Sequence, residues 1–185
     1  NAYISGEADF HAAVAKMAGI SRNQAKTINL GLMYGMGKNK LMAELGLMKE
    51  SAEKLIAQYH SKAPFIKQLM KNTTNKAERS GIIRTLKGRI CHFDMWEPLT
   101  FNTGTPKKLE DAQKEYTFGI KRAFTYRALN RLIQGSAADM TKMSLIHLHE
   151  NGIVPHIQIH DEVDISVESP EHASKIIEIM ESAVK

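Results

Sequence analysis

SRNQAKTINLGLMYG, residues 21–35, carries Arg22, Lys26, Leu30 and Tyr34 at intervals of four. On a helix that interval draws one slowly drifting stripe, about 18 Å long over twelve residues. A core-facing stripe would be apolar throughout, whereas this one runs cation, cation, aliphatic, phenol. Such an order suits a ligand that is anionic at one end and flat at the other. Ser21 followed by Gln24 has capping-box spacing, and Gly35 is a residue on which a helix can stop. Arg22 is therefore expected in the first turn, beside the positive end of the helix dipole, where phosphate binds readily.

An isolated pair of cations on a helix is usually no more than a solvated face. Here Arg22, Lys26, Leu30, Gly31, Tyr34 and Gly35 follow an order, R-x-x-x-K-x-x-x-(aromatic)-G-x-x-Y-G, that resembles the nucleotide-binding helix of family A DNA polymerases, the bacterial polymerase I type and its phage forms. Leu30 departs from the pattern, since the family usually carries Phe or Tyr there. The resemblance implies that Arg22 and Lys26 hold the triphosphate of a dNTP and that Lys26 donates a proton to the departing pyrophosphate. Leu30 would touch the incoming nucleotide without stacking on it. Tyr34 and Gly35 would lie where the template base enters. Upstream, Asp9-Phe10-His11 matches a D-x-H pattern that implies a place for His11 near the triphosphate.

Composition agrees with these expectations. A chain of 185 residues, 43% hydrophobic, is long enough for a real core, and 25 Lys and Arg against 20 Asp and Glu leave a net charge of +5, the sign a nucleic-acid binder needs. The single cysteine, Cys91, excludes an internal disulfide and a cysteine-rich metal site, which fits a reducing compartment. No apolar run approaches the roughly 20 residues of a membrane span. The chain starts at Asn1, and a last helical pattern runs to Lys185 without a cap, as expected of part of something longer.

Helical spacing extends from Gly6 to Ala18 through Phe10, Val14 and Met17, with Gly19 as the stop. Helices are also expected from Leu41, over residues 51–60, and after Pro64, where Phe65, Ile66, Leu69 and Met70 read as packing positions. The period then shortens. Residues 82–93 read as a hairpin turning at Gly88, and TLKGR within it matches a family hairpin. Arg84, Lys87 and Arg89 cluster there and are expected to meet duplex phosphates. Residues 96–115 show no period and read as a loop or insertion.

Residues 126–148, YRALNRLIQGSAADMTKMSLIHL, carry a broad apolar stripe with Asn130 and Gln134 four apart. Amides so placed either satisfy each other inside a core or reach minor-groove acceptors that every base pair offers in nearly the same position, where they would test pair geometry without reading sequence. N-x-x-x-Q-G-S-A-A-D matches the family segment beside primer and template. In PHIQIHDEVDISV, residues 155–167, Ile157, Ile159, Asp161, Val163, Ile165 and Val167 share one parity. An extended chain would therefore bury Asp161 with its apolar neighbours, at a cost that a divalent cation would remove. The triplet His160-Asp161-Glu162 matches the family's catalytic hairpin. That match implies Asp161 as a magnesium ligand, Glu162 as a catalytic neighbour of lesser role and His160 near the primer end.

The expected fold is α+β, with a helical fingers subdomain over residues 10–115 and the C-terminal part of an antiparallel palm over 116–185, residues 1–9 linking from an earlier palm strand. The expected function is template-directed DNA synthesis, with primer-template DNA and dNTPs as partners and two Mg²⁺ ions as cofactors. The family's first catalytic Asp lies in a D-Y-S-x-x-E-like segment that this sequence lacks, so the second carboxylate is expected from the rest of the polymerase chain upstream. Location in the cytoplasm of a bacterial host or phage-infected cell, away from membranes, completes the expectation. A phage-type single-subunit RNA polymerase has a similar Lys and Tyr-Gly helix, but its catalytic triplet ends in Ser where this chain has Glu162. A non-catalytic nucleic-acid-binding module is the alternative from a different class.

Overall fold

In the computed structural model, which describes residues 9–34, 36–62, 64–100 and 104–183, helix α1, Phe10–Ala18, begins where Asp9 caps it. The Asp9 carboxylate accepts from the backbone N–H groups of His11 (2.9 Å) and Ala12 (3.0 Å), and Gly19 ends the helix in a left-handed conformation. Helix α2, Arg22–Met33, opens on the expected capping box. The Ser21 N–H donates to Gln24 Oε1 at 3.0 Å, and the Gln24 N–H donates back to Ser21 Oγ at 3.3 Å. Helices α3, Lys38–Leu45, α4, Lys49–Lys62, and α5, Pro64–Ser80, follow. Val14, Ala25, Ile28, Leu41, Ala52, Leu55, Tyr59 and Ile66 form their common core. Of the expected packing positions in α5, Ile66 is buried but Phe65 and Leu69 are exposed.

Helix α2 gives Ala25, Ile28 and Asn29 to the interior, which turns Arg22, Lys26 and Leu30 outward. Gly31 serves the chain's return. A Cβ there would stand 2.0 Å from Met36 Cε, and the Met36 N–H donates to the Gly31 carbonyl at 2.7 Å. Gly35 and residues 1–8 lie outside the described residues.

Strands β1, Ile82–Arg84, and β2, Ile90–His92, form the expected antiparallel hairpin, with Ile83 opposite Cys91. Residues 96–115 contain more order than their composition suggests. Strand β3, Trp96–Pro98, pairs with β4, Ile120–Arg122, and α6, Leu109–Glu115, lies between them in sequence. Elements of three and seven residues are too short to display a period, and here tertiary contacts fix them. Trp96 exchanges both backbone hydrogen bonds with Lys107 (2.7 and 2.9 Å), and the Arg122 guanidinium stacks 4.5 Å from the Trp96 ring.

A 3₁₀ turn, Thr125–Arg127, leads into the long helix α7, Ala128–Glu150. Strands β5, Ile157–Ile159, and β6, Glu162–Asp164, then form a hairpin, and α8, Pro170–Ser182, follows. The chain divides into two compact units: Asn1–Arg79 with Phe124–Leu129, and Ser80–Ala123 with Asn130–Lys185. The first unit's main stretch ends at Arg79, and within the second unit the hairpin of β1 and β2 is fastened to α7. The result is an α+β chain of helices and small antiparallel sheets. Among the described residues, no helix is long and apolar enough to cross a membrane.

Candidate active-site residues

The stripe on α2 is a surface. Arg22 and Lys26 are exposed, Leu30 is 43% exposed, and Tyr34 is half-buried in the turn after the helix. Two side-chain bonds lace α1 to α2. Arg22 Nε donates to Asp9 Oδ2 at 2.6 Å, and Asn29 Nδ2 lies 2.7 Å from His11 Nδ1. The hydrogen bond from Arg22, followed by the backbone N–H of Ala12, holds the Asp9 carboxyl below its ordinary pKa, so Asp9 is ionised at neutral pH. The four-residue stripe gave Arg22 and the family resemblance gave His11, while Asp9 stood only as a letter of its motif. Asn29, one position before Leu30, had no signal of its own.

Two motifs that are fifty residues apart in sequence interlock in the second unit. The Leu86 N–H donates to Ser136 Oγ at 3.1 Å, and Ser136 in turn donates to the Leu132 carbonyl at 2.7 Å. Arg89 donates from Nε to Asp139 Oδ1 and from Nη2 to the Gly135 carbonyl, both at 2.7 Å. A Cβ on Gly135 would stand 2.8 Å from Thr85 Cγ2, so this glycine allows the hairpin its close approach. TLKGR therefore docks on QGSAAD through Thr85, Leu86 and Arg89. Arg89, expected on duplex phosphate, has its guanidinium committed to α7. Arg84 is exposed and donates to the Gly88 carbonyl at 3.0 Å, and Lys87 is exposed at the turn. Asp139 is almost buried, and the Thr85 hydroxyl and then Arg89 hold its carboxyl below the ordinary range.

The β5–β6 hairpin corrects the parity argument. The chain does not stay extended through Asp161. It turns at His160 and Asp161, with His160 at φ 54°, so that Ile159 pairs with Glu162 and Ile157 with Asp164. Two loop residues invert the parity: Val163 shares a face with Gln158, while Ile157 and Ile159 share the other with Glu162 and Asp164. Val163 and Ile165 pack on Leu148, Ile153 and Ile176. Asp161 is exposed at the turn, so no burial cost demands a cation there.

Position now argues for the metal where burial does not. Gln134, Ala137, Ala138 and Thr141 of α7 line one cleft of about 360 Å³ with His160 and Asp161. Three residues expected in separate roles, Gln134, His160 and Asp161, are thus brought together, and Thr141 joins them without having been anticipated. Asn130 stands one turn before Gln134 and is half-buried, while Glu162 is exposed on β6 outside the cleft lining. Asp161 offers a hard carboxylate in the lining of this cleft, a donor suited to Mg²⁺, which commonly takes one or two carboxylates and completes its shell with water or substrate phosphate. Among the described residues, no group of three His, Cys, Asp or Glu forms a protein cage for an ion.

Comparison with known proteins identifies the family. Over 206 aligned residues the chain is 34% identical to a DNA-directed DNA polymerase of Pseudomonas phage M6, covering 93% of this chain and 28% of that protein. It is 29% identical to DNA polymerase I of Geobacillus stearothermophilus, covering 95% of this chain and 19% of the relative. The chain thus spans less than a third of these curated relatives. Its fold matches the POL domain of Pol1 from M. smegmatis, solved in complex with DNA primer-template and dNTP, with a TM-score of 0.71 and 24% identity over 97% of this chain and 32% of that one. The model of DNA polymerase family A matches residues 2–185. With its helix α2, the interlocked TLKGR and QGSAAD motifs and the Asp161 hairpin all inside that match, the chain belongs to DNA polymerase family A.

Proposed function

We propose that this chain is the part of a template-directed DNA polymerase that binds the incoming dNTP and supplies one of two catalytic carboxylates. The convergence of Gln134, His160 and Asp161 on one cleft carries the reading, because it unites a minor-groove amide with a metal-binding carboxylate. The fingers role, expected over residues 10–115, falls to the helices of the first unit. The palm role, expected over 116–185, falls to α7, α8 and the Asp161 hairpin.

Joining a nucleotide to a primer leaves the protein little covalent work beyond positioning and charge stabilisation. His11, Arg22 and Lys26 bind the triphosphate, and Lys26 delivers a proton to the pyrophosphate leaving group. Leu30 and Tyr34 meet the nucleotide and the template base, with Gly35 beside Tyr34. Asn130 and Gln134 test the width of the new pair from its minor groove. Arg84 and Lys87 meet duplex phosphates, and Arg89 braces the hairpin that carries them. Asp161 would hold Mg²⁺, with Glu162 as its neighbour and His160 at the primer end, and a metal bound there would supply Lewis-acid stabilisation of the reacting oxygens. The second carboxylate comes from the upstream polymerase chain, and the whole works in the cytoplasm of a bacterial or phage-infected cell.

The test is extension of a labelled primer by the complete reading frame that contains these residues, with dNTPs or NTPs. Extension with dNTPs is expected. Preference for NTPs would favour an RNA polymerase, and duplex binding without extension would favour a non-catalytic module.

A further inference from the structure

We infer that Asp9 and Asn29 are positioning residues that preset Arg22 and His11 for a triphosphate, an inference that rests on the nucleotide-binding reading above. Each of these two phosphate ligands has one nitrogen held by a side chain across the α1–α2 contact. Arg22 gives Nε to Asp9 at 2.6 Å, which leaves both terminal nitrogens of the guanidinium fork for a ligand. Asp9 is itself clamped, since its other oxygen accepts the N–H groups of His11 and Ala12 at the start of α1. The carboxylate therefore cannot follow Arg22 outward without uncapping the helix.

On the other side, Asn29 is wholly buried in α2 and presents its amide to His11 Nδ1 at 2.7 Å. With Asn29 Nδ2 facing it, Nδ1 is placed as an acceptor, an arrangement that matches the tautomer with the ring proton on Nε2. That tautomer makes His11 a donor on the side away from Asn29, as a phosphate oxygen requires. An exposed ion pair such as Asp9–Arg22 adds little to stability. A holding role is the stronger account of why a capping carboxylate and a buried amide both spend a bond on residues of the exposed stripe.

Double-mutant cycles on the complete reading frame test this, read as KM for dNTP against kcat, with primer-template affinity and thermal midpoint measured alongside. Asp9→Asn keeps a good N-cap but loses the charged acceptor. It should raise KM for dNTP about fivefold to tenfold and leave primer-template affinity and the melting midpoint unchanged. The effect should vanish in an Arg22→Ala background, as that of Asn29→Leu should vanish in a His11→Ala background. A normal KM in Asp9→Asn, or effects that simply add to those of Arg22→Ala, would overturn the positioning role while Lys26→Ala still raises KM. If Lys26→Ala is also unchanged, the triphosphate reading falls and the inference with it.

Discussion

Lys26 is the residue from which the most follows. It stands mid-helix on the exposed side of α2, one turn from Arg22 and one from Leu30. Lys26→Ala should lower dNTP affinity and the single-turnover rate by more than tenfold, about 1.4 kcal/mol, while primer-template affinity stays nearly constant. Leu30 gives a prediction of opposite sign. Being 43% exposed, it has room for a ring, so Leu30→Phe should tighten dNTP binding by about 0.5 to 1.5 kcal/mol through stacking. Weaker binding, measured by equilibrium titration, would mean that a neighbour already fills the space. At this scale the exposed stripe of α2 was legible, since four-residue spacing on a helix is visible without coordinates. The sequence was silent on Asn29, whose partner lies eighteen positions earlier, and on the Asp139 partner of Arg89, which lies fifty positions later.

Among the elements, the hairpin of β1 and β2 and the helix α7 behave as one piece. Gly135→Ala sets two effects against each other. Helix propensity alone would stabilise α7 by about 1 kcal/mol. The new Cβ, however, would sit 2.8 Å from Cγ2 of buried Thr85, and overpacking of that kind costs about 1 to 3 kcal/mol. Net destabilisation is expected in denaturant unfolding, with recovery in Gly135→Ala/Thr85→Ser, where the methyl is gone. A Gly135→Ala variant at or above parental stability would show that the hairpin is not seated on α7. Asp139 adds a pH dependence. Its folded pKa lies below the ordinary 3.8, so its contribution is complete above that value and is lost as pH falls through the folded pKa. Asp139→Asn should therefore flatten the acid limb of the stability profile below about pH 4. Helices with caps and a hairpin with its glycine are legible in sequence because their signals are local. Strand β3 and helix α6 are too short to show a period, and the fastening of TLKGR to QGSAAD is a tertiary event.

Over the whole molecule, parity of the last strands was the reading most open to error. A two-residue turn at His160 and Asp161 moved every later side chain to the other face, and Ile157 and Ile159 emerged half-exposed instead of buried. Their face, shared with Glu162 and Asp164, leaves two isoleucines half-exposed on residues 1–185 alone, and dilution in analytical ultracentrifugation should reveal reversible self-association. The same 185 residues should not extend a primer by themselves, because Asp161 lines the cleft as a single carboxylate and two ions lean on a pair. Robust magnesium-dependent extension by this piece would place the second ligand within it, with Glu162 and Asp164 the first to examine.

Everything converges on Asp161. Magnesium-dependent single-nucleotide extension by the complete reading frame, compared among the parent, Asp161→Asn and Glu162→Gln, isolates it. A metal-held carboxylate contributes several kcal/mol to the transition state, so Asp161→Asn should slow extension by at least about a hundredfold, while Glu162→Gln should cost far less and both variants should still bind primer-template. Parental rates in Asp161→Asn would contradict the account.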